Sequence, residues 1–227
     1  MSTATIRKSY VDTPLGQLHL RSVEGPGAPV LFLHRTPVTS ASFERVLTQL
    51  AGWRRLIAFD VPGYGDSFVP AAGTALPDLV GAFHAALATL GIERFHAVGH
   101  HSGASLAAAL AQHPGALSLM IDGAMVSSAE ERARLTPPPP APVIDRSGQY
   151  TQLAWKFLEP YYTVFDERCI HDEFVGALRS TFTRGAHLLA VRAHDLGATL
   201  SRLGCPVLAG AAEDDVFAPH LAQVSAA

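Results

Sequence analysis

The residues best suited to do chemistry lie in one short segment, Val98-Gly99-His100-His101-Ser102-Gly103-Ala104-Ser105. The apolar run Phe95-His96-Ala97-Val98 enters it and an alanine-rich stretch, residues 102–112, leaves it, so a strand turns directly into a helix. In such an elbow the apex residue is held in a strained backbone conformation, and the residues two before and two after it must be small. Gly99 and Gly103 meet that need around His101. A histidine held there could transfer a proton near neutral pH or attack as a nucleophile. With Ser102 at the apex instead, the small positions would fall on His100 and Ala104, and His100 is too bulky. With His101 at the apex, Ser102 is expected to offer only its backbone N–H, its side chain turning away. The remaining alternative is a tight strand–helix turn without chemistry. The Gly-x-Gly-x-x-Gly spacing of a dinucleotide site is absent.

Such an elbow needs a sheet to hold it. Residues 17–23 alternate as a half-buried strand does, and Val30-Leu31-Phe32-Leu33 and Leu56-Ile57-Ala58-Phe59 read as strands buried on both faces. Helices are expected at 41–50, capped by Ser40, at 76–90 and at 102–112. Strands are expected at 95–98, 117–121 and 206–210. This alternation predicts an α/β fold with a mostly parallel sheet and helices on both faces. Residues 127–200 break the rhythm: they hold the proline run Pro137–Pro140, most of the Tyr and Trp, and helical stretches without strands. The reading is a core in two parts, 1–126 and 201–227, with a helical cap inserted at 127–200. In a parallel sheet, ligands bind at the carboxyl ends of the strands. Attention therefore falls on His34-Arg35-Thr36-Pro37, residues 60–67, Asp122 and residues 210–219.

Composition sets outer limits. The chain has 227 residues, 48% hydrophobic and 16% charged, with a formal net charge of −3. That balance fits an ordinary globular enzyme and gives no long-range attraction for nucleic acid. Two cysteines, Cys169 and Cys205, make neither a disulfide framework nor a metal motif, which fits a reducing, cytoplasmic setting. The N-terminus lacks the apolar run of a signal peptide, and no stretch is long enough to span a membrane. His100 is expected to pack beneath the elbow, and adjacent His100 and His101 to point in divergent directions, so neither a metal nor a cofactor is implied.

Four segments in order resemble the α/β-hydrolase fold superfamily across nearly the whole chain. Leu33-His34-Arg35-Thr36-Pro37 is similar to its His-Gly-x-Pro oxyanion segment, and Asp60-Val61-Pro62-Gly63-Tyr64-Gly65-Asp66-Ser67 to its Asp-x-Pro-Gly-x-Gly-x-Ser loop. Gly99 to Gly103 matches its nucleophile elbow, and Gly210 with Asp215-Val216-Phe217-Ala218-Pro219 resembles the segment that supplies the acid. The resemblance implies that Thr36 and Ser102 donate backbone N–H groups to an oxyanion hole and that Asp215 orients a histidine. Asp122 is a second possible acid. His34, Arg35 and Asp122 are candidate substrate contacts, and no metal ligand is implied. The apex departs from the family in carrying His101 where a hydrolase has Ser, Cys or Asp. The chain also ends about a dozen residues past Asp215, before the family's final strand, helix and catalytic histidine; His220 lies too near Asp215 to replace it.

The activity implied is hydrolysis of a small, largely apolar ester or related acyl compound. One alternative is cofactor-free lyase- or decarboxylase-type chemistry with His101 as base or nucleophile; another is an inactive or binding-only member. Partners are expected to be a small-molecule substrate, with no nucleic acid and no membrane. The strand at 206–210, left as a sheet edge, is expected to invite pairing into a homodimer.

Overall fold

The computed structural model describes residues 5–134, 143–162 and 165–226; the proline run Pro137–Pro140 lies outside them. Seven strands form one sheet: β1 (Arg7–Thr13), β2 (Gly16–Val23), β3 (Val30–Leu33), β4 (Leu56–Phe59), β5 (Phe95–His100), β6 (Ala116–Asp122) and β7 (Val207–Gly210). Their order is β1-β2-β4-β3-β5-β6-β7. β1 and β2 form an antiparallel hairpin, and β2 joins β4 antiparallel. From β4 through β3, β5 and β6 to β7 every pairing is parallel. The carboxyl ends of these five strands therefore share one edge of the sheet, and each residue that follows such a strand is delivered there.

Burial shows why the strands read as they do. In β3, Leu31 and Leu33 join one hydrophobic cluster while Val30 and Phe32 join another; in β4, Ile57 and Phe59 face the first and Leu56 and Ala58 the second. Successive side chains point to opposite faces, so a strand covered on both sides must be apolar at every position. Helices α2 (Leu76–Thr89) and α3 (Ser102–Leu110) supply the first cluster, and α1 (Glu44–Gln49) supplies Leu47 to the second. Between β6 and β7 run α4 (Ala129–Arg134), α5 (Gln149–Leu158), α6 (Glu167–Arg179), α7 (Gly185–Ala193) and α8 (Leu196–Leu200), with no strand among the described residues of this stretch. A short α9 (Leu221–Ala226) follows β7. Among the described residues no helix is long and apolar enough to cross a membrane.

Two local expectations need correction. The helix expected from Ala41 begins as a 3-10 turn, Ser40–Phe43, becomes α only at Glu44, and is capped by Thr39, whose Oγ1 accepts from the Ala41 N–H at 3.3 Å. Ser40 cannot cap because it is fully buried, its Oγ donating to Asp60 Oδ1 at 2.6 Å and accepting from Arg21 Nη1 at 2.6 Å. β1 was not expected at all. Only Val11 within it is buried, so its sequence carries no apolar alternation; its pairing with β2 creates it.

Candidate functional site

The elbow forms because two glycines let helix and strand close on one another. A Cβ on Gly103 would lie 2.2 Å from the Leu33 carbonyl oxygen, and one on Gly99 would lie 2.6 Å from the Ala104 Cα. The chain turns between them at His101, φ 48° and ψ −116°, the only non-glycine residue of positive φ among the described residues. This geometry puts His101, not Ser102, at the apex. Such a conformation costs of order 1–3 kcal/mol and persists only where the surroundings impose it.

The strained turn carries the His101 ring to Asp215, which follows β7. His101 Nε2 lies 2.6 Å from Asp215 Oδ2, and both side chains are about nine-tenths covered. Asp215 is fixed from its other oxygen, Oδ1, which accepts from the Phe217 N–H at 2.7 Å. Burial pushes its carboxyl up, but the hydrogen bonds from His101 and the Phe217 N–H outweigh that and hold it below the ordinary value. With Asp215 ionised, Nε2 is the protonated nitrogen of His101 and Nδ1 is the basic one. Nδ1 has no hydrogen-bond partner among the described residues. The Phe217 ring stands edge-on to His101 at 4.9 Å.

Of the two candidate acids, then, Asp215 is the one bonded to His101. Asp122 ends β6, accepts the His101 N–H on its backbone oxygen at 2.9 Å, and places Oδ2 3.8 Å from His100 Nε2. Burial and the neighbouring Asp215 charge raise its carboxyl above the ordinary range. His100 departs from expectation. It does not pack beneath the elbow, nor do the two rings diverge: the His100 and His101 centroids are 4.4 Å apart at 60°. Neighbouring side chains diverge in a regular strand, but the positive φ at His101 breaks that alternation. Burial, with His101 and Arg35 nearby, lowers the His100 imidazole to about 3.

Ser102 also departs from expectation. Its side chain does not turn away; Oγ accepts the Thr36 N–H at 2.7 Å and donates to Thr36 Oγ1 at 3.0 Å. Thr36 Oγ1 is 2.8 Å from the buried Tyr64 hydroxyl. The backbone donor expected for an oxyanion hole is thus covered by the serine expected to sit beside it.

His34 has a different task from the substrate contact proposed for it. It is buried, its Nδ1–H donates to the Arg35 carbonyl at 2.9 Å, and its Nε2 accepts the Val61 N–H at 3.0 Å. Both nitrogens are used in tying β3 to the loop after β4, and burial lowers its pKa. Arg35 faces inward: its guanidinium pairs with Glu173 on α6 and lies 5.5 Å from the centre of the Tyr161 ring. Asp60 organises the loop behind the site. It accepts from His19 Nδ1 at 2.8 Å, the Ser40 N–H at 2.7 Å, Ser40 Oγ at 2.6 Å and the Asp66 N–H at 2.9 Å. Burial pushes its carboxyl up, yet these bonds hold it well below the carboxylate range.

A cavity of about 310 Å³ opens over the elbow, lined by Thr36, His101 and Ser102 below and by Phe157, Tyr161 and Leu188 from residues 127–200 above. Its walls are mostly apolar, with Arg35 and Arg192 as charged groups. A larger groove of about 510 Å³ between α1 and α6 has a mixed polar and apolar lining and holds none of the elbow residues. Ion pairs among the described residues join residues 127–200 to the core, among them buried Arg35–Glu173, exposed Arg179–Asp66 at 2.6 Å and exposed Arg45–Asp166 at 3.2 Å. Glu173 and Phe217 were not singled out from sequence as site residues: Glu173 is remote in sequence from every motif, whereas Phe217 stood inside the quoted acid segment. Tyr161 belongs to the aromatic residues of 127–200, a few of which were expected to line an apolar pocket, and it does line the cavity.

The sheet order, the strained apex and the His101–Asp215 bond define an α/β-hydrolase type of architecture. The family model for the alpha/beta hydrolase fold matches residues 28–159, more than half of the chain, and the protein belongs to that family. Over 64 residues it is 42% identical to a haloalkane dehalogenase of Agrobacterium fabrum, a match covering 28% of this chain and 21% of that one. The chain therefore spans about a fifth of that relative's length. Among solved structures, a hydrolase from Pseudomonas aeruginosa superposes with a TM-score of 0.76 at 22% identity, covering 97% of this chain and 86% of that one. An esterase from Exiguobacterium antarcticum gives 0.75 at 17% identity, covering 96% and 86%. These two likenesses establish the fold.

Proposed function

We propose that the protein hydrolyses a small, largely apolar ester or related acyl compound, with His101 as general base, Asp215 as its orienting acid and residues 127–200 as a cap. The observation that carries this reading is the 2.6 Å bond between Asp215 and the Nε2 of an apex histidine that lines the cavity. Asp215 holds the ring in one tautomer and stabilises the imidazolium that forms. His101 Nδ1 takes a proton from water as the water oxygen bonds to the acyl carbon, and the carbonyl electron pair moves onto its oxygen. The Ser102 N–H, at the start of α3, and the Thr36 N–H are the donors for that oxyanion. The Thr36 donor becomes available when Ser102 Oγ swings off it. Collapse re-forms the carbonyl, breaks the bond to the alcohol oxygen, and returns the His101 proton to the leaving alkoxide.

The apolar cavity supports a small apolar acyl group, and the esterase and dehalogenase likenesses agree with hydrolysis. A second reading rests on the same dyad: with no hydroxyl at the apex, His101 could serve cofactor-free lyase- or decarboxylase-type proton transfer. The test is a panel of short-chain p-nitrophenyl esters with wild type and His101→Ala. Hydrolysis that falls about 10²- to 10⁴-fold in His101→Ala supports the base. No hydrolysis above background in wild type, or equal rates in both proteins, rejects it. A serine-directed fluorophosphonate is expected to leave wild type unlabelled.

A further inference from the structure

The convergence of His100 and His101 puts a donor set beside Asp215 that the proposed proton transfer does not need. One ring nitrogen from each histidine and one carboxylate oxygen of Asp215 all lie within 4.8 Å of one another. Asp122 stands at the same edge, its Oδ2 3.8 Å from His100 Nε2. Tetrahedral ligands about 2.0–2.1 Å from a metal are roughly 3.3 Å apart. Among His100, His101 and Asp215, the His101–Asp215 contact must therefore open by under about 1 Å and the wider separations must close by at most about 1.5 Å. Shifts of that size lie within side-chain rotation.

The chemistry of the donors agrees. Two imidazoles and two carboxylates bring a formal charge of −2, which a dication cancels, and nitrogen with oxygen donors suits Zn²⁺ and Co²⁺. The other cluster of this kind among the described residues, His19, Asp60 and Asp66, is already committed: both Asp60 oxygens are taken by Ser40, His19 and the Asp66 N–H. Next to the elbow cluster lies the cavity, which leaves room for a water or a ligand atom on a bound ion.

We propose that His100, His101 and Asp215, with Asp122 beside His100, form a binding site for one divalent transition-metal ion of the Zn²⁺ or Co²⁺ type. Binding replaces the His101–Asp215 hydrogen bond with two metal bonds, so the ion and the proton-transfer dyad are mutually exclusive states of one site. The inference needs no ester substrate and stands or falls apart from the hydrolytic reading.

The test is titration of metal-free protein with Co²⁺, followed by its visible d–d bands, and with Zn²⁺, followed by calorimetry. One equivalent is expected to bind. His100→Ala and Asp215→Asn are each expected to weaken binding at least tenfold, and Asp122→Asn about 10- to 100-fold, as loss of a supporting carboxylate does. His84→Ala is the control, because the His84 and His113 rings also lie close together, 5.0 Å apart, away from the elbow. It is expected to change nothing. His100→Gln, closer in shape to histidine, is the second variant should His100→Ala lose its fold by circular dichroism. Absence of a one-equivalent phase, or binding that survives in folded His100 variants but is lost in His84→Ala, overturns the proposal.

Discussion

Replacing Ser102 by Ala separates this site from a serine hydrolase by the sign of the effect. Ser102 Oγ occupies the Thr36 N–H at 2.7 Å, so a substrate oxyanion must displace it. Alanine removes the competitor and keeps the Ser102 backbone donor. A hydrogen bond of this kind is worth about 0.5–1.5 kcal/mol net. At 1.36 kcal/mol per decade, transition-state binding should improve kcat/KM by about 2- to 12-fold. The same change removes the bond to Thr36 Oγ1 and costs about 1 kcal/mol of stability, read as a Tm lowered by a few degrees. The assay is kcat/KM on a short-chain p-nitrophenyl ester, with melting followed by circular dichroism. A fall of a hundredfold or more, or fluorophosphonate label on Ser102, would refute the reasoning and make Ser102 the nucleophile.

Three further outcomes follow from other contacts. Gly123→Ala places a Cβ, at φ +59°, 2.4 Å from His101 Cδ2 and 2.7 Å from Asp215 Oδ2, so it must push the dyad apart by about 1 Å; turnover should drop about 10²-fold while far-UV circular dichroism stays native. His187 is fully buried with both ring nitrogens unpartnered, and burial lowers it to about 3, with His34 and Tyr64 as its titratable neighbours. Its folded pKa lies below the unfolded 6.5, so its contribution is complete above pH 6.5 and shrinks as pH falls, by about 2 kcal/mol at pH 5. His187→Leu should flatten the loss of Tm between pH 7 and 5, and an unchanged pH slope would count against this. β7 is a sheet edge carrying Leu208 at 62% exposure, which motivates self-association along that strand; Leu208→Lys should shift light-scattering mass toward monomer, and a wild type already monomeric at all concentrations would dismiss the idea.

The sequence made the parallel strands legible because they are short apolar runs with turns at both ends, and the chain order of four motifs is enough to assign the sheet edge. The apex was legible too, since glycine spacing is a direct print of close backbone approach. β1 was hidden because an exposed strand needs only a partner, and no periodicity marks it. The side-chain outcomes at the elbow were hidden for a related reason. Where Ser102 Oγ points depends on Thr36, which is 66 residues away in sequence, and the meeting of His100 with His101 depends on a positive φ that no rotamer preference announces. Likewise Glu173 lies 138 residues from the arginine it pairs with, at a position where an acidic helix residue reads as solvent-facing.

The ion pairs Arg35–Glu173, Arg179–Asp66 and Arg45–Asp166, which tie residues 127–200 to the core, differ in how solvent reaches them, and that gives the cavity roof a dependence on ionic strength. Arg179–Asp66 and Arg45–Asp166 sit in water, where mobile ions compete for each partner; the screening length shrinks from roughly 10 Å at 0.1 M salt to roughly 3 Å at 1 M. Arg35–Glu173 is shielded from that competition, with Tyr161 packed over it. Added salt therefore slackens the rim of the roof while its centre stays fastened. Passage of ligand should quicken with salt, and the polarity felt by a molecule already inside should hardly change.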